Sequence, residues 1–388
     1  MKKYLVILLI ILLSVATFSF SNVNNIKTAS ADQLSDSIEE QLSNLELEEL
    51  ENFLNGFPSI NDIKFNDLLH NILNGEYQNN NENFFQYLVN VIFNNIFELL
   101  PIFISIIAIA IICAIIQNVK SSYLSESTNQ IVNFVCFLSV VLLLSTTLVS
   151  LFSKSQIIIE NIAKLNEIMS PIILTLIIAS GGTASASVYR PSVIFFSDGV
   201  ITIIYSVVFP LIILMTIFSI LSFFSKDIKL NKFSDFICGL LKWIFGIIFT
   251  IYGLFTTING ISSAIHDGIS IKAAKFAISN SVPIVGGFLK DGFDIIVAGS
   301  ILIKNSIGIA GISIFFTFII SNVLYFAVYS LLLKLTSAFC ETISDTPISS
   351  LMTSLSRSIS YLVACVLMVS FMFFMSILLM IFSANSFV

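Results

Sequence analysis

Residues 99–116 and 131–152 contain no charged side chain, and five further apolar runs follow them before the chain ends. A stretch of roughly 20 apolar residues is what an α-helix needs to cross a hydrocarbon core of about 30 Å. Several such runs in one chain leave few folds open, because in lipid only helices and closed barrels satisfy every backbone polar group. The runs lack the strict apolar–polar alternation of barrel strands, so helices remain. Composition agrees: 56% of the residues are hydrophobic, 11% are charged and the mean hydropathy is +0.97. A soluble domain carries about 25% charged residues, so a soluble enzyme, a nucleic-acid binder and a disulfide-stapled secreted domain are all excluded. The expected fold class is an all-α, polytopic helical membrane protein.

The spans are expected at about 99–116, 131–152, 168–188, 192–225, 236–257, 305–333 and 358–383, seven in all. The run 192–225 is too long for one straight crossing, which predicts tilt, protrusion or a kink at Pro210. Residues 1–31 read as a cleaved signal peptide. Lys2 and Lys3 precede an apolar stretch, and Ala29-Ser30-Ala31 supplies small residues for cleavage between Ala31 and Asp32. Residues 32–98 carry thirteen acidic side chains and one lysine, a net of −12, whereas the membrane domain, residues 99–388, is +3. The acidic segment is expected to be helical and extracytoplasmic. Leu34, Ile38, Leu42, Leu45, Leu50 and Leu54 recur at helical spacing, Asp62 to Leu73 suits a second helix, and 84–97 suits a helix on the membrane surface. Pro101 is read as the junction with the first span. Loop lysines and arginines number six on one side of a seven-span arrangement and seven on the other, so charge does not orient it. The cluster Lys226, Lys229 and Lys232 favours the cytoplasm.

Three groups stand out as candidate pore, packing or intramembrane polar residues. The stretch 180–187, with Gly181 and Gly182, is read either as a gate or as tight helix packing and a plain turn. Segment 259–304 is too polar for a clean span and too apolar for an ordinary loop. It carries Asp267, Gly268, Lys272, Lys275, Pro283, Asp291 and Lys304. Two broken half-helices of the kind that build transport sites and an amphipathic interfacial hairpin both fit it. Asp198 and Lys242 interrupt apolar runs. They are expected to face a cavity or each other, since an unpaired charge at mid-bilayer costs at least ~2.5–3.5 kcal/mol, with a place near the interface also open for Asp198.

No catalytic constellation is legible. The two histidines, His70 and His266, lie far apart, and no HExxH, GxSxG or phosphate-binding loop occurs. The five cysteines sit in or beside apolar stretches without a CxxC pair. No cofactor or metal is expected.

Four strings carry a family resemblance: Ser180-Gly181-Gly182 through Pro191, Asp267-Gly268-Ile269 through Lys275-Phe276, Pro283 to Gly286, and Leu302-Ile303-Lys304-Asn305 to Gly308. In these, and in the order of signal peptide, polar segment and multi-span body, the chain resembles the stage III sporulation protein AE family of endospore-forming bacteria. The resemblance implies a non-enzymatic component of a channel or secretion-like complex in the mother-cell membrane around the forespore. It implies sibling membrane proteins and a forespore-membrane protein as partners, besides membrane lipid, with a homo-oligomer also open and no nucleic acid. It assigns no catalytic residue. An autonomous secondary transporter for a small solute, using Asp198, Lys242 and the 259–304 half-helices, is the alternative.

Overall fold

A computed structural model of the chain describes residues 31–43, 45, 47–56, 65–73, 81–120, 126–222, 230–281, 286–343 and 346–383. The signal-peptide reading concerns residues 1–31, of which 1–30 lie outside them. The described residues form helices only. Three short helices come first: α1 (Ala31–Ser43), α2 (Leu47–Asn55) and α3 (Phe65–Leu73). The body follows with α4 (Asn81–Lys120), α5 (Glu126–Ala179), α6 (183–221), α7 (Asn231–Ser281), α8 (Gly286–Ile343) and α9 (Thr346–Phe382).

Among the described residues, six helices are long and apolar enough to cross a membrane, where the apolar runs suggest seven. The difference lies in α5. Residues 131–152 and the first part of 168–188 share one unbroken helix that ends at Ala179, and the rest of 168–188 turns and opens α6. The surface helix expected at 84–97 is likewise continuous with the first span. Pro101 does not break α4, and the Ser105 hydroxyl one turn on donates to the Pro101 carbonyl at 2.9 Å. Thr175 does the same for the carbonyl of Pro171 in α5, also at 2.9 Å.

In α6 the backbone widens twice into π-helix, at Phe195–Val200 and Ile204–Val208, before regular helix resumes at Phe209. Pro210 cannot donate a hydrogen bond, and its ring crowds the carbonyl four residues earlier. The second widened turn covers that position, so the expected distortion at Pro210 takes the form of a π segment rather than a hinge.

The α8–α9 hairpin is the centre of the bundle. Its two helices run antiparallel and meet through small and hydroxyl side chains, which let backbones approach closely. Ser337 Oγ lies 3.0 Å from Ser349 Oγ, and Ser330 Oγ lies 2.8 Å from Ser356 Oγ. Farther along, Phe315 packs on Phe373 with centroids 4.4 Å apart, and Gly308 lies under Ile381. The most apolar stretch of α9 is 72% buried, against 28% for α7 at the periphery. α4 joins α8 through Phe103 and Tyr329, and α5 through Lys154 over the Tyr325 ring. α6 and α7 form a second antiparallel hairpin, with Cys238 Sγ 3.1 Å from Met215 Sδ and Ser219 Oγ 3.0 Å from Ser234 Oγ. It is tied to α9 by Tyr252, whose hydroxyl donates to the Met372 carbonyl at 2.6 Å, and by Arg357–Asp235 at 2.8 Å.

Successive body helices alternate in direction. The α4–α5, α6–α7 and α8–α9 junctions therefore gather at one end, and the turn near Gly181 gathers with α1–α3 at the other. At 1.5 Å per residue the 58 residues of α8 extend about 87 Å, far beyond a 30 Å hydrocarbon core, so part of the bundle stands outside the bilayer.

The acidic segment is part of this bundle rather than a free tail. Leu50 and Leu54 of α2 and Phe65, Leu69 and Ile72 of α3 are buried in the common core, while Glu39, Glu40, Glu48, Glu49 and Asp67 face outward. α1 is pinned by Gln41: the Ser300 hydroxyl donates to Gln41 Oε1 at 2.7 Å, and Gln41 Nε2 donates to the Ile296 carbonyl at 3.4 Å. Two lost bonds of roughly 1 kcal/mol each should loosen α1 without unfolding the body. In Gln41→Ala, limited proteolysis is therefore expected to cut within 31–56 several times faster while α4–α9 stay protected; unchanged cleavage would show that the segment is held elsewhere.

Candidate functional site

The small-residue stretch 180–187 is a helix stop followed by a new helix start. Gly181 has φ 88°, a left-handed conformation that favours glycine. Its N–H donates to the Ile178 carbonyl at 2.9 Å, and the Gly182 N–H to the Ile177 carbonyl at 2.8 Å. These two bonds are the Schellman pattern that satisfies the last carbonyls of α5. Ser180 returns its hydroxyl to the Ile177 carbonyl at 2.8 Å. The geometry is that of a turn between two helices. Gly181→Ala should cost about 1 kcal/mol, because a Cβ there is strained whatever the free space, and a thermal melt in detergent reads that cost. A wild-type melting temperature in that variant would contradict the turn's role.

Past this turn the α5 and α6 helices diverge and leave a groove of about 690 Å³. Glu167 and Arg190 supply its charges, Ser170, Thr175 and Ser187 its hydroxyls. A second groove of about 660 Å³ lies between α2 and α5, again beside Glu167 and Pro171. Both are open surface clefts.

The other candidates do not converge with this turn. Lys304 is fully buried in the α8–α9 core, where its ammonium donates to the carbonyl of Ser383, just past the last turn of α9. A cation there complements the negative end of the α9 dipole. Lys242 lies on the exposed outer face of α7. Asp198 falls in the first π segment of α6. Neighbouring Phe196 packs on Tyr252, ten positions along α7 from Lys242 and so about 15 Å away, and Lys242 has no ion pair among the described residues. The expected mutual pair is therefore absent from the described contacts of Lys242. Asp267, Gly268, Lys272 and Lys275 lie on the continuation of α7, and Asp291 lies near the start of α8. Pro283 lies outside the described residues. Segment 259–304 is thus carried by extensions of the two spanning helices and not by detached half-helices. Among the described residues no three His, Cys, Asp or Glu side chains gather as a metal site would require.

Two features went unread in the sequence. Gly308 and Gly311 are close-packed positions: a Cβ would lie 2.3 Å from Ile381 Cδ1 at the first and 2.0 Å from Met169 Cε at the second. Their three-residue spacing inside an uncharged run was the available signal. Gly239, Gly246 and Gly253 recur every seven residues along α7.

Comparison with known proteins supplies a family for this architecture. The sequence model of the family described as Stage III sporulation protein AE matches residues 63–384, from the approach to α3 through the whole of α9. The chain is 23% identical over 317 residues to Stage III sporulation protein AE of Bacillus subtilis (strain 168), covering 82% of this chain and 79% of that protein. No solved structure matches.

Proposed function

The chain belongs to the stage III sporulation protein AE family, and from that premise we propose that it is a non-enzymatic, multi-pass component of a sporulation channel or secretion-like complex. In this reading it sits in the mother-cell membrane around the forespore and supports late forespore development. The observation that carries the proposal is the extent of the family match, which takes in an acidic-segment helix as well as the complete membrane body.

The fold supports a structural rather than a solute-carrying role. The charged groups an autonomous transporter would use are dispersed: Lys242 outside, Lys304 in the core, Asp198 about 15 Å along the bundle from Lys242. The alternation of α4–α9 supports one orientation. Lys232, at the start of α7, falls at the end opposite α1–α3. A cytoplasmic basic junction and an acidic segment in the space between the two membranes satisfy the positive-inside rule together.

Deletion of the gene in the sporulating host tests the role. The expected result is engulfed forespores that stall in late development and recover when the gene is restored. Normal spore yield in the deletion strain would overturn the proposal.

A further inference from the structure

The inward edge of α7 is occupied by α6 and α9, with Cys238, Leu241, Ile248 and Tyr252 buried. Among the described residues its outward edge is unpartnered. Gly239, Gly246 and Gly253 recur at intervals of seven, and Trp243, Thr250 and Thr257 follow each by four. Seven residues fall just short of two helical turns, so all six lie along one stripe. A Cβ at any of these three glycines meets nothing within 4 Å. Internal packing therefore does not call for glycine at these sites, although glycine weakens a helix relative to alanine. Where Gly246 lacks a side chain, a groove of about 530 Å³ opens between Trp243 and Thr250. Close backbone approach over such positions is how membrane helices pack against one another.

A second observation is the charge on the groove's rim. Lys242 borders the groove and is exposed. It lies seven positions beyond Asp235, the partner of Arg357, and so about 10 Å farther along the span. It has neither ion pair nor hydrogen bond among the described residues. A cation on the lipid side of an apolar run is costly unless an anion meets it.

We propose that this stripe seats a transmembrane helix of another protein, and that the helix carries an Asp or Glu at the depth of Lys242. The groove supplies close approach and the lysine supplies the charge complement. A second copy of this chain fits poorly. A two-fold axis along the membrane normal would set Lys242 against Lys242 at equal depth, with like charges opposed. The inference gives a contact face to the assembly proposed above and rests on that reading for the existence of a partner.

The open space over Gly246 makes the test clean, because Gly246→Leu fills the groove without touching this chain's own packing. A photo-crosslinking residue is placed at Thr250 in full-length protein in sporulating cells, and the adduct is identified by mass spectrometry. The expected adduct is a membrane protein with an acidic residue inside a span. Its yield should fall about tenfold in Gly246→Leu and in Lys242→Glu, with melting temperatures unchanged. Exchanging the partner's acid for lysine should restore it in the Lys242→Glu background. A self-adduct, a lipid-only adduct or an adduct insensitive to both substitutions overturns the inference. If partners still co-purify in that case, the assembly reading stands and only the face is wrong; if the wild-type chain recovers none, both fall.

Discussion

Gly308→Leu is expected to leave little folded protein, and Gly308→Ala to be measurably less stable than wild type. A Cβ at position 308 would stand 2.3 Å from Ile381 Cδ1 and 2.4 Å from Cγ1. Ile381 is 9% exposed and β-branched, so it has little room or rotamer freedom to yield. Overpacking of this kind costs about 1–3 kcal/mol, and it falls on the hairpin around which the other helices pack. Relief should come from the opposing side: Ile381→Ala in the Gly308→Ala background should recover part of the loss, a coupling that a double-mutant cycle reads directly. Gly311→Ala should be milder, because Met169 meets it with a flexible thioether. Additive losses at 308 and 381 in detergent melts would contradict the contact.

Lys304→Glu should be as damaging by a different route. Lys304 is wholly buried, and its ammonium donates to the Ser383 carbonyl at the end of α9. A carboxylate in its place sets an anion against a carbonyl and against the negative pole of the helix. Replacing a buried charge by its opposite removes the favourable contact and adds an uncompensated one, on the order of 3–5 kcal/mol. Lys304→Met keeps the stem and loses the ammonium with its bond to the carbonyl, about 1–3 kcal/mol. The order wild type, Lys304→Met, Lys304→Glu in resistance to proteolysis in detergent is the expected result. Equal resistance of all three would mean that the lysine is dispensable to the fold.

Both sites show what the sequence could and could not convey. The uncharged runs at 99–116, 131–152, 305–333 and 358–383 announced helices at membrane length, and helices lie there. Boundaries were less legible, because Pro101 and the polar residues of 259–304 were read as breaks. Pro101 and Pro171 are carried inside continuous helices, with the Ser105 and Thr175 hydroxyls one turn on bonding their carbonyls. The described residues of 259–304 likewise continue two long helices, Asn231–Ser281 and Gly286–Ile343. The docking of α1 on α8 through Gln41 and Ser300 joins residues 259 positions apart, beyond the reach of periodicity. The candidate residues fared unevenly for the same reason. Gly181 could be read as a turn from its neighbours. The burial of Lys304 and the exposure of Lys242 follow from which face of each helix meets the bundle.

The account stands on one claim above the others: this chain works as a membrane-embedded part of a larger assembly. The most direct test is the native size and composition of the tagged protein, gently extracted from sporulating cells after crosslinking. The account predicts a large complex that contains other sporulation membrane proteins. A lone monomer or a small homo-oligomer that survives crosslinking unchanged would contradict it.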